Sequence, residues 1–121
     1  MKANDKLNTF GELLIENVRD RTIDKYNRII EGKMKDANSL KLHTFISQLD
    51  ENAKSILHRV IMDTIDNQLF NTLTLFEQNE EYLVGYLGEK EVFHNLVDES
   101  DGLAGELLGD DGWIKKYSKY E

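Results

Sequence analysis

The apolar positions of the first thirty residues recur at intervals of three and four. This spacing is typical of one face of an α-helix, and Gly32 follows where such a helix is expected to end. The pattern therefore predicts a first helix over roughly residues 5–31. We expect its charged residues, Asp20 and Asp24 among them, to face solvent. The predicted apolar face consists of Leu7, Leu14, Ile15, Val18, Tyr26 and Ile29.

A second run of apolar residues keeps helical spacing from Glu51 to about Asn79, and Asp50 stands before it as a candidate N-cap. Its apolar arc is much wider than the stripe of an ordinary surface helix. This width predicts the long central helix of the fold, over roughly residues 51–79. A shorter helix is predicted to begin after Asn38 or Ser39, in the segment between the two long ones.

The remaining third is less regular. The residues from Glu80 to Glu99 fit two short helices interrupted near Gly88, but a short strand or hairpin near residues 82–87 fits as well. Further on, we expect Asp110 or Asp111 to cap a terminal helix that Trp113 anchors on the core. The chain contains no proline, which favours helices. The predicted fold is all-α: one small helical bundle with short C-terminal helices, over residues 1–121.

Composition limits the cellular compartments and the classes of protein that fit this chain. The chain has no cysteine, so disulfides and thiolate metal sites are excluded. No apolar run approaches the roughly 18 residues that a membrane span needs, and none resembles the apolar centre of a signal peptide. We therefore expect a cytoplasmic protein that does not act at a membrane.

Charge is divided unequally along the chain. Residues 1–60 carry 11 Lys/Arg and 9 Asp/Glu, whereas residues 61–121 carry 4 and 14, which is a net charge of −10. Such an acidic surface repels nucleic acid and attracts a basic protein. The leading hypothesis is a small, non-enzymatic protein-binding module that engages a basic partner through the acidic segment 77–111, in the role of an inhibitor, an immunity protein or an antitoxin. Its predicted binding residues are Asp98, Glu99, Asp101, Glu106, Asp110 and Asp111.

The stretch "SDGLAGELLGDDGW" at residues 100–113 combines glycines with carboxylates. A phosphate loop needs a nearby cation and a GK[ST] or GxGxxG pattern, and neither occurs here. Ligand spacing also excludes an EF-hand, because its twelfth position would be Leu108. A weak divalent-cation site formed by Asp98, Asp101 and Asp110 remains open, and no other cofactor is expected.

Two alternatives come from different classes of protein. Glu91 and His94 form an ExxH pair, which suggests a metal-binding helical protein, either a sensor or a hydrolase. The sequence has no second ExxH pair, no GxSxG and no HExxH, so evidence for catalysis is thin. The other alternative is a structural homo-oligomer, such as a homodimer, that buries leftover apolar surface.

Overall fold

The computed structural model describes the backbone of residues 3–120 and the side chains of residues 5–120. It begins with a continuous helical run made of α1 (Ala3–Leu14), a π-helical segment (Ile15–Asp20) and α2 (Arg21–Ile30). The backbone stays helical at both junctions. Gly32 then adopts a left-handed conformation, with φ of 76°, and the helix ends there as its sequence predicts.

The π segment changes which residues of this helix are buried. A four-residue spacing drifts by roughly 40° per step around an α-helix, and a wider π turn offsets that drift. As a result Leu7, Ile15, Arg19 and Ile23 lie buried at steps of four or eight residues. The predicted face was therefore partly wrong: Val18 is 44% exposed and Tyr26 is exposed, whereas the acidic Asp20 is only 4% exposed.

Two further helices follow. Helix α3 (Ala37–Ser47) packs on α2 and starts slightly earlier than predicted, because Asp36 is the N-cap and accepts a hydrogen bond from the Ser39 amide at 3.1 Å. Helix α4 (Glu51–Gln78) confirms the predicted long helix. Its predicted cap is confirmed too, since the Asp50 carboxylate accepts from the Ala53 amide at 2.8 Å.

Helix α4 buries only its second half. Its buried side chains are Ile65, Leu69 and Leu73, while Ile56 and Val60 in the first half are more than half exposed. The wide apolar arc of α4 therefore packs in the core along the second half of the helix and is exposed along the first half.

The C-terminal third contains a hairpin, so the strand alternative is confirmed and the pair of helices around Gly88 is wrong. Strands β1 (Gly85–Leu87) and β2 (Phe93–Asn95) pair antiparallel, with Tyr86 opposite His94 and Leu87 opposite Phe93. Helix α5 (Leu96–Glu99) follows directly. A 3₁₀ helix (Ala104–Leu107) then packs on α4, and its Ala104 amide donates a hydrogen bond to the Glu77 carboxylate.

The last helix, α6 (Trp113–Tyr117), has Gly112 at its N-cap position and no side-chain cap. The prediction that Asp110 or Asp111 caps it was wrong, and both side chains are exposed. The anchoring role of Trp113 is confirmed, because its side chain is buried in the core. That core is one cluster of Leu7, Ile15, Ile23, Ile65, Leu69, Leu73, Leu96, Leu103, Ala104, Leu107 and Trp113.

The chain is thus a small, mostly helical domain with a long central helix. Within the part of the chain that the structure describes, no helix combines the length and hydrophobicity needed to cross a bilayer.

The chain end is attached to the first helix by polar contacts. The Asp24 carboxylate accepts hydrogen bonds from the Tyr120 hydroxyl and, at 3.1 Å, from the Lys119 ammonium group. The Tyr120 hydrogen bond, followed by that of Lys119, lowers the pKa of Asp24 below its ordinary value of 3.8. These hydrogen bonds to Asp24 in turn raise the pKa values of Lys119 and Tyr120.

This lowered pKa predicts a pH-dependent attachment. Because ionised Asp24 is favoured in the folded state, its contribution to stability is complete above pH 3.8 and is lost as the pH falls through the lower folded-state pKa. We expect Asp24→Asn to have a lower urea midpoint than wild type near neutral pH, with the difference shrinking as the pH falls below 3.8. The exposed Asp63, changed to Asn, is the matched control. A difference for Asp24→Asn that stays constant across this range would contradict the assignment.

Candidate protein-binding surface and the adjoining cleft

Apolar side chains are exposed on the hairpin and in the segment just before it. Leu87 and Phe93 are directly opposite each other across the two strands, and they are 66% and 46% exposed. The Phe93 ring lies over Gly85, where a β-carbon would meet it. We call this patch the hairpin surface; its exposed apolar members are Tyr82, Leu83, Leu87, Val92 and Phe93. Aromatic and aliphatic groups that stay exposed together are typical of a protein interface.

Carboxylates surround the hairpin surface in the sequence. Glu80 and Glu81 precede it, and Glu89 and Glu91 lie in the turn that joins its strands; all four side chains are exposed. Lys90, between the last two, is the only Lys or Arg from residue 77 to residue 111. The hairpin surface therefore has the composition of an apolar centre with an acidic rim.

The structure separates the six predicted binding residues into two groups. Asp98, Asp101, Asp110 and Asp111 are exposed, in α5, the loop after it and the turn before α6. Glu106 is half-buried in the 3₁₀ helix, and the Glu99 side chain is only 13% exposed. The first four are available to a large partner, whereas Glu99 has its own contacts inside the protein.

Glu99 connects α5 to the hairpin. Its Oε1 accepts a hydrogen bond from the Tyr86 hydroxyl at 2.5 Å and lies 4.0 Å from His94 Nδ1. That hydrogen bond to the carboxylate, more than burial, raises the pKa of the Tyr86 hydroxyl. Among the described residues, the buried Glu99 Oε2 has no hydrogen-bond partner. One oxygen of this carboxylate is therefore used in the fold and the other is not.

The side chains around Glu99 form an open cleft of about 740 Å³. The Tyr86 and His94 rings stack in it with centroids 5.0 Å apart, and the Lys6 ammonium lies 5.7 Å from the Tyr86 ring centroid. Gly88 allows this arrangement, because a β-carbon there would overlap the His94 ring. The lining residues are Lys6, Tyr86, Leu87, Gly88, Glu89, Val92, His94 and Glu99.

The metal alternative receives no ligand cluster from the fold. His94 is on β2, beside Tyr86 and Glu99, while Glu91 is exposed in the hairpin turn with a left-handed backbone. His43 Nδ1 is hydrogen-bonded to the Ile30 carbonyl, and His58 is exposed on α4. In residues 5–120 no group of three or more His, Asp or Glu side chains could hold a metal ion. The Glu91/His94 site and the weak cation site at Asp98, Asp101 and Asp110 stay predictions.

A second apolar surface lies between the two long helices. Val18, Thr22 and Tyr26 form one wall of a groove of about 560 Å³, and Val60, Ile61, Thr64 and neighbouring residues of α4 form the other. The π segment produces this groove by turning Val18 and Tyr26 away from the core. Apolar residues of α3 are exposed as well, among them Leu40, Leu42 and Phe45.

Missing from the sequence interpretation were Tyr86, the partner of Glu99, and Lys6. A signal for Tyr86 was available. Side chains of a strand point alternately to opposite faces, so Val84 and Tyr86 lie on one face and Gly85 and Leu87 on the other. Nothing in the sequence brings Lys6 to the hairpin.

Comparison of the chain with models of protein families, with curated proteins and with solved structures finds no significant match. The fold and the surface define the class as a small all-α domain with an acidic, hairpin-bearing third.

Proposed function

We propose that this protein is a non-enzymatic binding module that engages a basic surface of another protein through the hairpin surface, the carboxylates around it and the exposed Asp98, Asp101, Asp110 and Asp111. The observation that carries the proposal is the exposed cross-strand pair Leu87 and Phe93 in the most acidic part of the chain. Apolar anchors supply affinity when they are desolvated. The surrounding carboxylates supply orientation and a faster encounter with a cationic partner.

The type of partner follows from charge. A protein that binds nucleic acid presents a cationic surface where phosphates lie, and the net charge of −10 over residues 61–121 complements it. We propose that such a protein, for example a toxin nuclease, is held and inhibited by this module. An immunity or antitoxin role is the function that charge, size and surface composition favour together.

The proposal is tested with three forms of the protein as bait in lysate of the source cells, at about 50 and about 200 mM salt. The first is wild type. The second changes the exposed Asp98, Asp101, Asp110 and Asp111 to Asn. The third changes Leu87 and Phe93 to Ser. We expect wild type to capture a basic protein at both salt concentrations, the Asn variant to lose it as salt rises, and the Ser variant to lose it at both.

A matched control keeps the change in net charge but moves it away from the proposed surface. It neutralises four exposed carboxylates of the helical part, namely Glu12, Glu16, Glu31 and Asp63. The captured protein is then purified and titrated against each form by calorimetry, where wild type and the control should bind equally with a 1:1 stoichiometry. Equal loss in the control and the Asn variant would reduce the effect to general charge and contradict the proposal.

A homodimer is the second candidate, and the groove between α2 and α4 is the observation that favours it. Its walls expose Val18, Tyr26 and Val60, which a second copy of the chain could cover. Sedimentation of wild type and of Val60→Glu distinguishes the states. A dimer that the substitution splits supports this candidate, and a wild-type monomer at all concentrations contradicts it.

A further inference from the structure

We propose that the cleft beside the hairpin is a receptor for a guanidinium group, and that an arginine side chain of the basic partner enters it. This inference rests on the proposed function for its biological ligand, but the cleft can be tested without the partner.

The first argument is the unused carboxylate oxygen. Glu99 Oε2 is buried and, within the described chain, accepts no hydrogen bond, which is a costly state for a polar atom. Oε1 of the same group already accepts from the Tyr86 hydroxyl. A ligand that suits this carboxylate must bring an N–H or O–H donor to Oε2, which a small turn of the Glu99 side chain brings to the cleft that it lines. A guanidinium group can do this and can also share Oε1, since its five N–H groups form a planar fork that matches a carboxylate.

The second argument is the pair of aromatic rings in the cleft. Tyr86 and His94 stack on each other beside Glu99, and planar guanidinium groups stack on the outer face of such a pair. Gly88 has no side chain, and a β-carbon at this position would overlap the His94 ring and displace it. The exposed Leu87 and Val92 line the same cleft and can pack against the aliphatic stem of an arginine.

The third argument is that a cation of the protein itself already occupies this position. The Lys6 ammonium lies over the Tyr86 ring at 5.7 Å from its centroid, within the range of a cation–π contact. Lys6 itself is exposed near the start of α1, so its side chain can leave without loss of core packing. Lys6 is therefore a weak competitor from within the protein. An arginine side chain replaces its contact with the Tyr86 ring and adds paired hydrogen bonds to the Glu99 carboxylate.

The test is a two-dimensional NMR titration of the full chain near neutral pH, with arginine amide, lysine amide and citrulline amide up to about 20 mM. Citrulline amide has the shape of arginine amide, with a neutral urea group in place of the charged guanidinium group. We expect arginine amide to shift the Tyr86 and His94 ring protons and the Leu87 and Gly88 amides in a saturable way. Lysine amide should bind more weakly, because it has no fork, and citrulline amide should not bind.

Three variants make the test specific. Glu99→Gln should weaken arginine amide about tenfold, as expected for loss of a charged hydrogen-bond partner. Lys6→Ala should strengthen it about threefold, because the competing cation is gone. Glu12→Gln, at an exposed carboxylate of α1, is the matched control and should leave it unchanged. The spectra themselves report whether each variant is folded.

Two results would overturn the inference: citrulline amide producing the same shifts as arginine amide, or Lys6→Ala weakening the binding of arginine amide. An absence of saturable shifts in wild type would overturn it as well. Failure of the cleft stays distinguishable from failure of the proposed function, because the Asn variant of the capture experiment leaves every residue that lines the cleft intact, and the Ser variant changes only Leu87 among them. Conversely, saturable binding of arginine amide without capture of a partner supports the cleft and contradicts the proposed function alone.

Discussion

Trp113→Ala is expected to destabilise the protein by about 3–5 kcal/mol, the range for removing a large aromatic side chain from a core. Trp113 is 1% exposed and packs edge-on against Phe10, with ring centroids 5.9 Å apart. Its indole Nε1 donates to Asn8 at 3.3 Å. For a domain of this size such a loss lowers Tm by about 10 °C or more. Urea unfolding followed by circular dichroism measures it, because Trp113 is the single tryptophan and its fluorescence is lost.

A second variant checks that the packing of this ring is responsible. Alanine normally stabilises a helix relative to glycine by about 0.5–1 kcal/mol. At Gly11 of α1, however, a β-carbon would overlap the Trp113 ring. We therefore expect Gly11→Ala to destabilise the protein, and Tyr82→Ala at an exposed site to change stability by less than about 0.5 kcal/mol. Unchanged melting of Trp113→Ala together with lost partner binding would reassign Trp113 to the interface.

The fold was predictable where local signals agreed. Asp50 followed by regular apolar spacing predicted α4 to within a residue at its end, and Gly32 marked the end of the first helix. These features depend on neighbouring residues alone. They required no knowledge of what each helix packs against.

The burial of the first helix could not be predicted in this way. An α-helical spacing of 3.6 residues per turn predicts one continuous face, whereas the π segment inserts a wider turn at Ile15–Asp20. Its charged residues Arg19 and Asp20 are buried because Asp66, Ser118 and Lys119, far away in sequence, supply their partners. Periodicity gives an apolar face, but it cannot detect a charged face that distant residues neutralise.

The candidate site, like the first helix, could be predicted from the sequence only in part. The acidic bias from residue 77 to residue 111 was visible, and the exposure of Asp98 and Asp101 agrees with it. The contact between Glu99 and Tyr86 depends on the register of the hairpin, which brings Tyr86 opposite His94. A spacing such as ExxH indicates a shared face only on a helix, and His94 is on a strand.

Arg19 is the other side chain whose removal should have a large effect. It is 2% exposed, and it donates from Nε to Asp66 Oδ1 at 2.6 Å and from Nη1 to Ser118 Oγ at 2.7 Å. Ser118 Oγ in turn donates to Asp20 Oδ1 at 2.6 Å. This network joins the π segment, α4 and the chain end around two carboxylates and one guanidinium group.

We expect Arg19→Ala to lower the free energy of unfolding by about 3–5 kcal/mol, because it leaves Asp20 buried without its nearest cation. Arg19→Lys should recover only part of the loss, since an ammonium group cannot form the fork with Asp66. Arg21→Ala, on the exposed side of the same helix, is the matched control and should change stability by less than about 0.5 kcal/mol.

Salt and a combined variant separate a buried network from a surface ion pair. Burial shields the contacts from counterions, so the loss in Arg19→Ala should be nearly the same at about 50 and about 500 mM salt. A triple variant that combines Arg19→Met with Asp20→Asn and Asp66→Asn removes all three charges of the network. It should be more stable than Arg19→Met alone, because no unpaired carboxylate remains. If the triple variant were less stable than Arg19→Met alone, the carboxylates would stabilise the fold independently of Arg19. The cost of losing Arg19 would then come from lost packing of its side chain and not from unpaired charge.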